Sequence, residues 1–354
     1  MKLLIVTQTL DSKHSVLGFF ARWVLEFAKQ YERVTVFCLD KGDDIFPENV
    51  TVIRISRAWH GLKIWPFILA YQAFKYRKNY THVFAHMNPE YILSTGIIWR
   101  LLSKKISLWY AHGTVSLRLK IATILCNAIF SSTPEGFRYP TSKLHIVGQG
   151  IDMSLYKNIN LERGLQKPIS LVSIGRISAS KRLELLLETI FILKSEYKIE
   201  PICTIIGGPV TDVDKKYFET LQNYVVKHHL TDNVIWRGAL PLTEAILVLK
   251  ETDVFVHFGN TGSLDKAILD AMACGVIPLS ANEAVKNILQ DIDQNLLALA
   301  DSQDAASKVE YLVSQTHQDI TVLRKKMVEY VQIRFSLETF ITRIVGILNN
   351  KNIL

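Results

Sequence analysis

The chain has 354 residues, 49% of them hydrophobic and 21% charged, with a formal net charge of +8. This is an ordinary globular composition, long enough for two domains, and no apolar run reaches the ~20 residues that would span a bilayer. The surplus of cations leaves room for anionic partners such as nucleic acid, anionic lipid or phosphorylated small molecules, or for lysines that are merely solvated.

The N-terminal MKLLIVTQTLDSKHS lacks a small-residue cleavage site and reads as a first β-strand rather than a signal peptide. Further short apolar runs follow: RVTVFCL, HVFAH, ISLWYAH and AIFSS, each separated from the next by a helical stretch. Strand–helix alternation of this kind argues for a parallel sheet covered on both faces. Within this half, RAWHGLKIWPFILAYQAFKYRKNY (Arg57 to Tyr80) is dense in aromatics and cations. It suits either an interfacial surface on anionic lipid or a core helix with a basic outer face. The four cysteines, Cys38, Cys126, Cys203 and Cys274, lie far apart in apolar runs without metal-ligand spacing. They point to a reducing compartment, hence the cytoplasm.

After the polar segment NINLERGLQKP (Asn158 to Pro168) a second series begins: ISLVSIG, ICTIIGG, NVIWRG, DVFVHF, VIPLS and NLLALA. From about Ser302 the pattern is helical to the end. Two doubly wound domains are expected, facing one another across a cleft, with ligands outside the carboxyl ends of the strands.

The stretch SIGRISASKRLELLLETI carries the first chemical signal. Three cations, Arg176, Lys181 and Arg182, surround the start of a helix. A helix N-terminus is already positive, so an anion bound between them would resolve the conflict. The second signal is HFGNTGSLDKAILDAMACGVIPLS, a glycine loop opening into a helix that would present free N–H groups. Ser263 is a good N-cap there and Asp265 suits the first turn.

In combination, SIGRISASKRLELLLETI, IIGGPVTD, NVIWRGAL and DVFVHFGNTGSLDKAILDAMACGVIPLS resemble glycosyltransferase family 4 in order and spacing. In the first half, WYAHGTVS, FSSTPEGFR and IVGQGID extend the resemblance less sharply. The resemblance implies a GT-B fold, with residues 1–157 as a Rossmann-like acceptor domain and residues 168–333 as the nucleotide-sugar domain. Residues 334–354 would form a helix returning to the first domain. It also implies a retaining hexosyltransferase of polysaccharide or glycoconjugate synthesis, using a UDP- or GDP-linked sugar and a glycan or lipid-linked acceptor. No other cofactor and no metal are expected, because cations fill the role often taken by Mg²⁺ and DVDK (Asp212 to Lys215) matches a metal motif only superficially.

Residue by residue, the resemblance assigns Arg176 and Lys181 to the donor diphosphate, whose charge grows as it leaves. His112 would hydrogen-bond the sugar, the departing phosphate taking the acceptor proton. Gly18 would let the first loop approach the diphosphate. Gly208, Ala239 and Leu240 would border the base and ribose. Asp270 matches the second acid of the family's paired-glutamate motif and would meet the ribose. The first acid is missing: Gly262 stands there. Either Asp265 replaces it, or backbone N–H groups of Ser263 and Leu264 suffice, or Asp265 is only a helix-start charge. Lys266 is spaced to pair with Asp270 at i, i+4. His14 and His86 are acceptor-side candidates, and attachment to the inner face of the cell membrane goes with a lipid-linked acceptor.

Other classes fit less well. A dinucleotide oxidoreductase would want G-x-G-x-x-G after the first strand, which TQTLDSKHS lacks. No nucleic-acid motif accompanies the charge. A non-catalytic two-lobed sugar-binding protein would not need Arg176 with Lys181, and a nucleotide-sugar epimerase of the same fold remains the nearest alternative.

Overall fold

The computed structural model describes residues 1–14, 16–55, 64–259 and 264–350. The chain divides into two compact units, the first comprising Met1–Asp152 with Phe335–Leu354 and the second Met153–Arg334.

Unit 1 contains β1 (Lys2–Leu10), α1 (Phe19–Gln30), β2 (Arg33–Lys41), β3 (Val50–Arg54), α2 (Trp65–Lys75), β4 (His82–His86) and α3 (Glu90–Leu101). It continues with β5 (Lys105–Trp109), α4 (Leu117–Leu125), β6 (Ala128–Ser131) and β7 (Leu144–Ile146). The seven strands form one parallel sheet in the order β3-β2-β1-β4-β5-β6-β7. Because every crossover is parallel, β1, β4 and β5 are buried on both faces and carry nearly unbroken apolar runs. One face of the sheet packs on α1, where Phe20, Trp23 and Phe27 join Phe340, Ile341 and Ile344 from the C-terminal helix. The other face packs beneath α2, α3 and α4 through Leu69, Ile92, Trp99 and Leu119.

Unit 2 contains β8 (Ser170–Ile174), α5 (Leu183–Ser195), β9 (Ile202–Ile206), α6 (Asp212–Lys227), β10 (Val234–Gly238), α7 (Leu242–Lys250) and β11 (Val254–His257). Then come α8 (Lys266–Ala273), β12 (Ile277–Ser280), α9 (Lys286–Ile292), α10 (Ser302–Ser314) and α11 (His317–Phe335). Its five parallel strands run β10-β9-β8-β11-β12.

The final helix, α12 (Leu337–Asn349), belongs to unit 1. Ser336 caps it by accepting from the Thr339 N–H, and Leu337 N–H donates to the Ile151 carbonyl at 2.8 Å. A side chain at Gly150 would lie 2.6 Å from Phe340, so glycine lets the chain pass close beneath the helix.

Two sequence expectations change. NLLALA is not a strand: Asp293 accepts from Asn295 N–H and caps a 3-10 turn over Gln294–Leu296, leaving a single bridge between Ser280 and Leu297. The polar segment after Asn158 is no free linker, since Arg163 and Gln166 are bonded to Asp253 at the start of β11. All four cysteines are buried free thiols. Among the described residues, no helix is long and apolar enough to cross a membrane.

Candidate active site

In unit 2 the connections run outward in opposite directions from between β8 and β11. At such a reversal, loops leaving the carboxyl ends of the two strands diverge and open space for a ligand. Three charged or polar side chains meet there, all from those two strands or the loops that follow them. Lys181 ends the 3-10 turn Ala179–Lys181 after β8, His257 is the last residue of β11, and Asp265 caps α8.

Lys181 Nζ donates to Asp265 Oδ2, and His257 Nε2 lies 3.1 Å from the same oxygen. Lys181 Nζ is 3.5 Å from His257 Nε2, whose other ring nitrogen is 3.3 Å from the Ser280 hydroxyl of β12. A carboxylate can only accept, so the His257 proton that points at Asp265 belongs on Nε2. Burial would raise the Asp265 pKa, but Lys181 and His257 outweigh it and hold the carboxyl well below its ordinary range.

Glycines make room for this group. A Cβ at Gly175 would stand 3.1 Å from Lys181 Cε, and one at Gly259 would stand 2.8 Å from His257 Nε2 and 3.4 Å from Lys181 Cδ. At Gly207, where φ is +138°, a Cβ would come within 1.8 Å of the Gly175 carbonyl oxygen. The loops after β8, β9 and β10 are also tied together by Gly175 N–H to Ile206, Gly207 N–H to Gly238 and Ile177 N–H to Gly208. A narrow, glycine-built edge results, into which Lys181 reaches.

The other cations of the β8–α5 loop behave differently. Arg176 is 53% exposed and only loosely paired, with its Nε 4.0 Å from Asp214 Oδ2. Arg182 takes a left-handed conformation, φ +51°, as the residue before α5. Leu183 N–H already donates to the Tyr217 hydroxyl at 2.8 Å, and Tyr217 in turn donates to Glu184. Neither Arg176 nor Lys181 pairs with Glu184 or Glu188; their partners are Asp214 and Asp265.

Asp265 is the N-cap of α8 rather than a first-turn residue, accepting from Ala267 N–H at 3.2 Å. Asp270 is buried within α8, and its Oδ1 accepts from the Tyr156 hydroxyl at 2.6 Å and from Lys266. The Lys266 pair forms as spaced, but it is largely buried, its two side chains 15% and 8% exposed, rather than lying on the surface. Leu264 is buried, while Ala239 is exposed and Leu240 half-buried beside β10. Nothing lies within 4 Å of a Cβ built on Gly208, so that position borders open space. Gly262 and Ser263 lie outside the described residues. DVDK opens α6 under a capping box between Thr211 and Asp214, and so has a structural purpose.

In unit 1, His112 is exposed after β5, with Nδ1 3.0 Å from the Thr114 hydroxyl. His14 turns its Nδ1 inward to accept from Val16 and Leu17 N–H at 3.1 and 3.0 Å, organising the loop ahead of α1. Gly18 is required by that loop itself, since a Cβ would stand 2.5 Å from the Ser12 carbonyl oxygen and 2.7 Å from that of His14. His86 lies in the core, not on a surface. It is 3% exposed and stacks on Phe20 with ring centroids 4.0 Å apart, and burial pushes its pKa down to about 3. It ends β4 beneath the aromatic side chains of α1, which leave it almost no contact with solvent.

Sequence reasoning missed His257 and Tyr156. His257 left one trace, a polar residue closing the otherwise apolar DVFV run of a buried strand. Tyr156 left none.

Comparison with known proteins decides the family. The family described as glycosyl transferases group 1 matches residues 157–334, half of the chain. The chain belongs to the glycosyl transferases group 1 family. Arg176, Lys181, His257, Asp265 and Asp270, the candidate residues of unit 2, all lie inside that match. A curated relative of this group 1 protein, one of the subunits of phosphatidylinositol N-acetylglucosaminyltransferase in Arabidopsis thaliana, is 26% identical over 175 residues. A second, the GDP-Man:Man(3)GlcNAc(2)-PP-Dol alpha-1,2-mannosyltransferase of Caenorhabditis elegans, is 26% identical over 119 residues. The matches take in 49% and 32% of this chain but only 37% and 25% of the length of those relatives. Among solved structures, HepE of Anabaena in complex with UDP and glucose superimposes with a TM-score of 0.76 at 14% identity, covering 99% of this chain and 100% of that one. The protein thus has the GT-B fold, with two Rossmann-like parallel α/β units. Among the described residues, no group of three His, Cys, Asp or Glu gathers to hold a metal ion.

Proposed function

We propose that this group 1 protein is a retaining hexosyltransferase of the family 4 type, moving a sugar from a UDP- or GDP-linked donor to a glycan or lipid-linked acceptor. The observation that carries the reading is Lys181, a cation built into a glycine-walled edge at the strand-order reversal of unit 2. A departing diphosphate gains charge in the transition state, and a cation already in position stabilises it without reorganisation. Asp265 keeps Lys181 ordered before a donor arrives, and the diphosphate then competes for the same ammonium. Arg176, exposed and weakly paired, is free to swing onto the second phosphate.

The remaining roles complete the reading. Unit 2 binds the donor and unit 1 the acceptor. Asp270, fixed by Tyr156 and Lys266, faces the ribose, and Gly208, Ala239 and Leu240 border the base. Asp265 takes the place of the missing first acid beside the transferred sugar. His112 hydrogen-bonds a sugar hydroxyl, the leaving phosphate accepts the acceptor proton, and no metal is needed. A lipid-linked acceptor is supported by the phosphatidylinositol and PP-Dol in the names of the two relatives. On this reading the enzyme serves cell-envelope polysaccharide or glycoconjugate synthesis from the cytoplasmic side of the membrane.

The test is a thermal-shift panel of UDP- and GDP-sugars on the wild type, Arg176→Ala and Lys181→Ala. A donor at a hundredfold excess over its Kd adds about 2.7 kcal/mol to the stability of the folded state. The wild-type midpoint should rise with one donor and those of the variants hardly at all. Equal rises in all three proteins would contradict the roles assigned to the two cations.

A further inference from the structure

We propose that the outer face of α2, α3 and α4 docks on the surface of an anionic lipid bilayer. The inference deepens the lipid-linked acceptor of the transferase reading by naming the surface that would meet the membrane, and vesicle binding tests it separately from donor binding.

These three helices pack side by side over one face of the unit 1 sheet, with a complete apolar core beneath them. Their outer faces should therefore be polar, as on an ordinary surface helix. They are not. Phe67 and Phe74 of α2, Ile97 and Leu101 of α3, and Leu117 and Ile124 of α4 are 78%, 52%, 64%, 81%, 72% and 68% exposed. Within each helix the two residues are spaced by four or seven, so each pair forms one outward stripe. Isolated exposed apolar residues are normal, but parallel stripes on three adjacent helices mark an interaction surface.

Charge identifies the occupant. Residues 64–130, which hold the three helices and their connections, contain eight Lys or Arg and one acid, Glu90. The rest of the chain carries 33 cations against 32 acids, so this segment supplies +7 of the net +8. Glu90 is paired with Arg118 at 2.7 Å. At the carboxyl ends of α2 and α3, Arg100 and Lys104 are held on backbone carbonyls, while Lys75 and Lys78 are exposed beside them. Lys120 adds an exposed cation on α4. Apolar side chains inside a margin of cations match the layering of a membrane interface, with acyl chains within and phosphates at the rim. Three helices at 8–10 Å spacing also present a face about 20 Å wide, too broad for a single bound peptide.

The experiment is co-sedimentation of the full chain with vesicles of phosphatidylcholine alone and of phosphatidylcholine with roughly 30% phosphatidylglycerol. The wild type should pellet with the anionic vesicles only, and less as salt rises. The triple variant Lys75→Gln, Lys78→Gln, Lys120→Gln should lose on the order of a hundredfold in apparent affinity, about fivefold for each cation. The double variant Phe67→Ser, Leu101→Ser should also lose binding, while Val322→Ser, an exposed apolar residue of unit 2, should retain it. Unchanged far-UV circular dichroism and thermal midpoints establish that the variants fold. Equal pelleting on the neutral vesicles, wild-type pelleting by both multiple variants, or no pelleting of the wild type at low salt overturns the proposal. A dimer in light scattering that Phe67→Ser, Leu101→Ser converts to a monomer would give the face to a second copy and overturn it as well.

Discussion

Replacing Asp253 with alanine should destabilise unit 2 by about 4–5 kcal/mol, a large part of the 5–15 kcal/mol that holds a typical domain together. The side chain is wholly enclosed at the start of β11. Oδ1 accepts from Arg163 at 2.7 Å and from Arg324 at 2.9 Å, while Oδ2 accepts from the N–H groups of Gln166 and Ser170 at 3.0 and 3.1 Å. Arg324 is 1% exposed, and burial, together with the neighbouring Arg163, pulls its pKa down to about 10 even though Asp253 works in the other direction. Removing the carboxylate leaves that guanidinium buried without a counter-charge, which by itself costs about 3–5 kcal/mol. The stranded backbone N–H groups add to the loss, partly relieved by water entering the space. With a urea m-value of about 2 kcal/mol/M, the unfolding midpoint of unit 2 should fall by roughly 2 M. Urea titration with hydrogen exchange read on unit 2 peptides measures this, and separates it from unit 1, whose exchange should hold. Asp253→Asn, which keeps acceptors for some of the donors, should fall about half as far. A shift under about 0.5 M for the alanine variant would refute the reasoning, since a buried ion cluster lost at so little cost is not holding the strand.

The other predictions concern the site and the unit 1 core. His86 is held neutral in the folded protein to about pH 3, whereas unfolded it takes up a proton near its ordinary value of about 6.5. The unfolded state therefore binds more protons between those values, and stability falls as pH drops through that window, by up to about 1.4 kcal/mol per pH unit. His86→Phe should remove that share of the slope in urea midpoints taken at pH 7, 5 and 4; an unchanged slope would count against it. Asp265→Asn keeps an N-cap but removes the carboxylate that competes for Lys181. UDP should then bind several-fold tighter by calorimetry, about 1 kcal/mol, and weaker binding would show that Asp265 supports the ligand instead. Gly207→Ala drives a Cβ into the Gly175 carbonyl and should cost about 3 kcal/mol, whereas Gly208→Ala meets nothing and should stay within about 0.5 kcal/mol. Similar thermal midpoints for the two variants would contradict the packing described at that edge.

Periodicity and turn chemistry are local, and what depends on them was legible in the chain. Short apolar runs alternating with helical stretches spelled out parallel sheets, because a strand buried on both faces must be apolar throughout. Lys181 stood out because a cation at a helix start conflicts with the helix dipole. That Asp265, 84 residues away, would pair with it was not legible, and His257 looked like one more strand residue. Only the reversal of strand order between β8 and β11 brings those segments together. His86 shows the same limit from the other side: it closes β4 while His112 lies just past β5, both at the carboxyl edge of the sheet, yet α1 folds over the first and the second is exposed. Asp253 likewise gave no local sign that two arginines 90 and 71 residues distant would converge on it. Sequence determines what each segment can become; which side chains share a carboxylate, a cavity or a surface is settled by long-range packing, because burial and Coulomb energy depend on distance in space rather than along the chain.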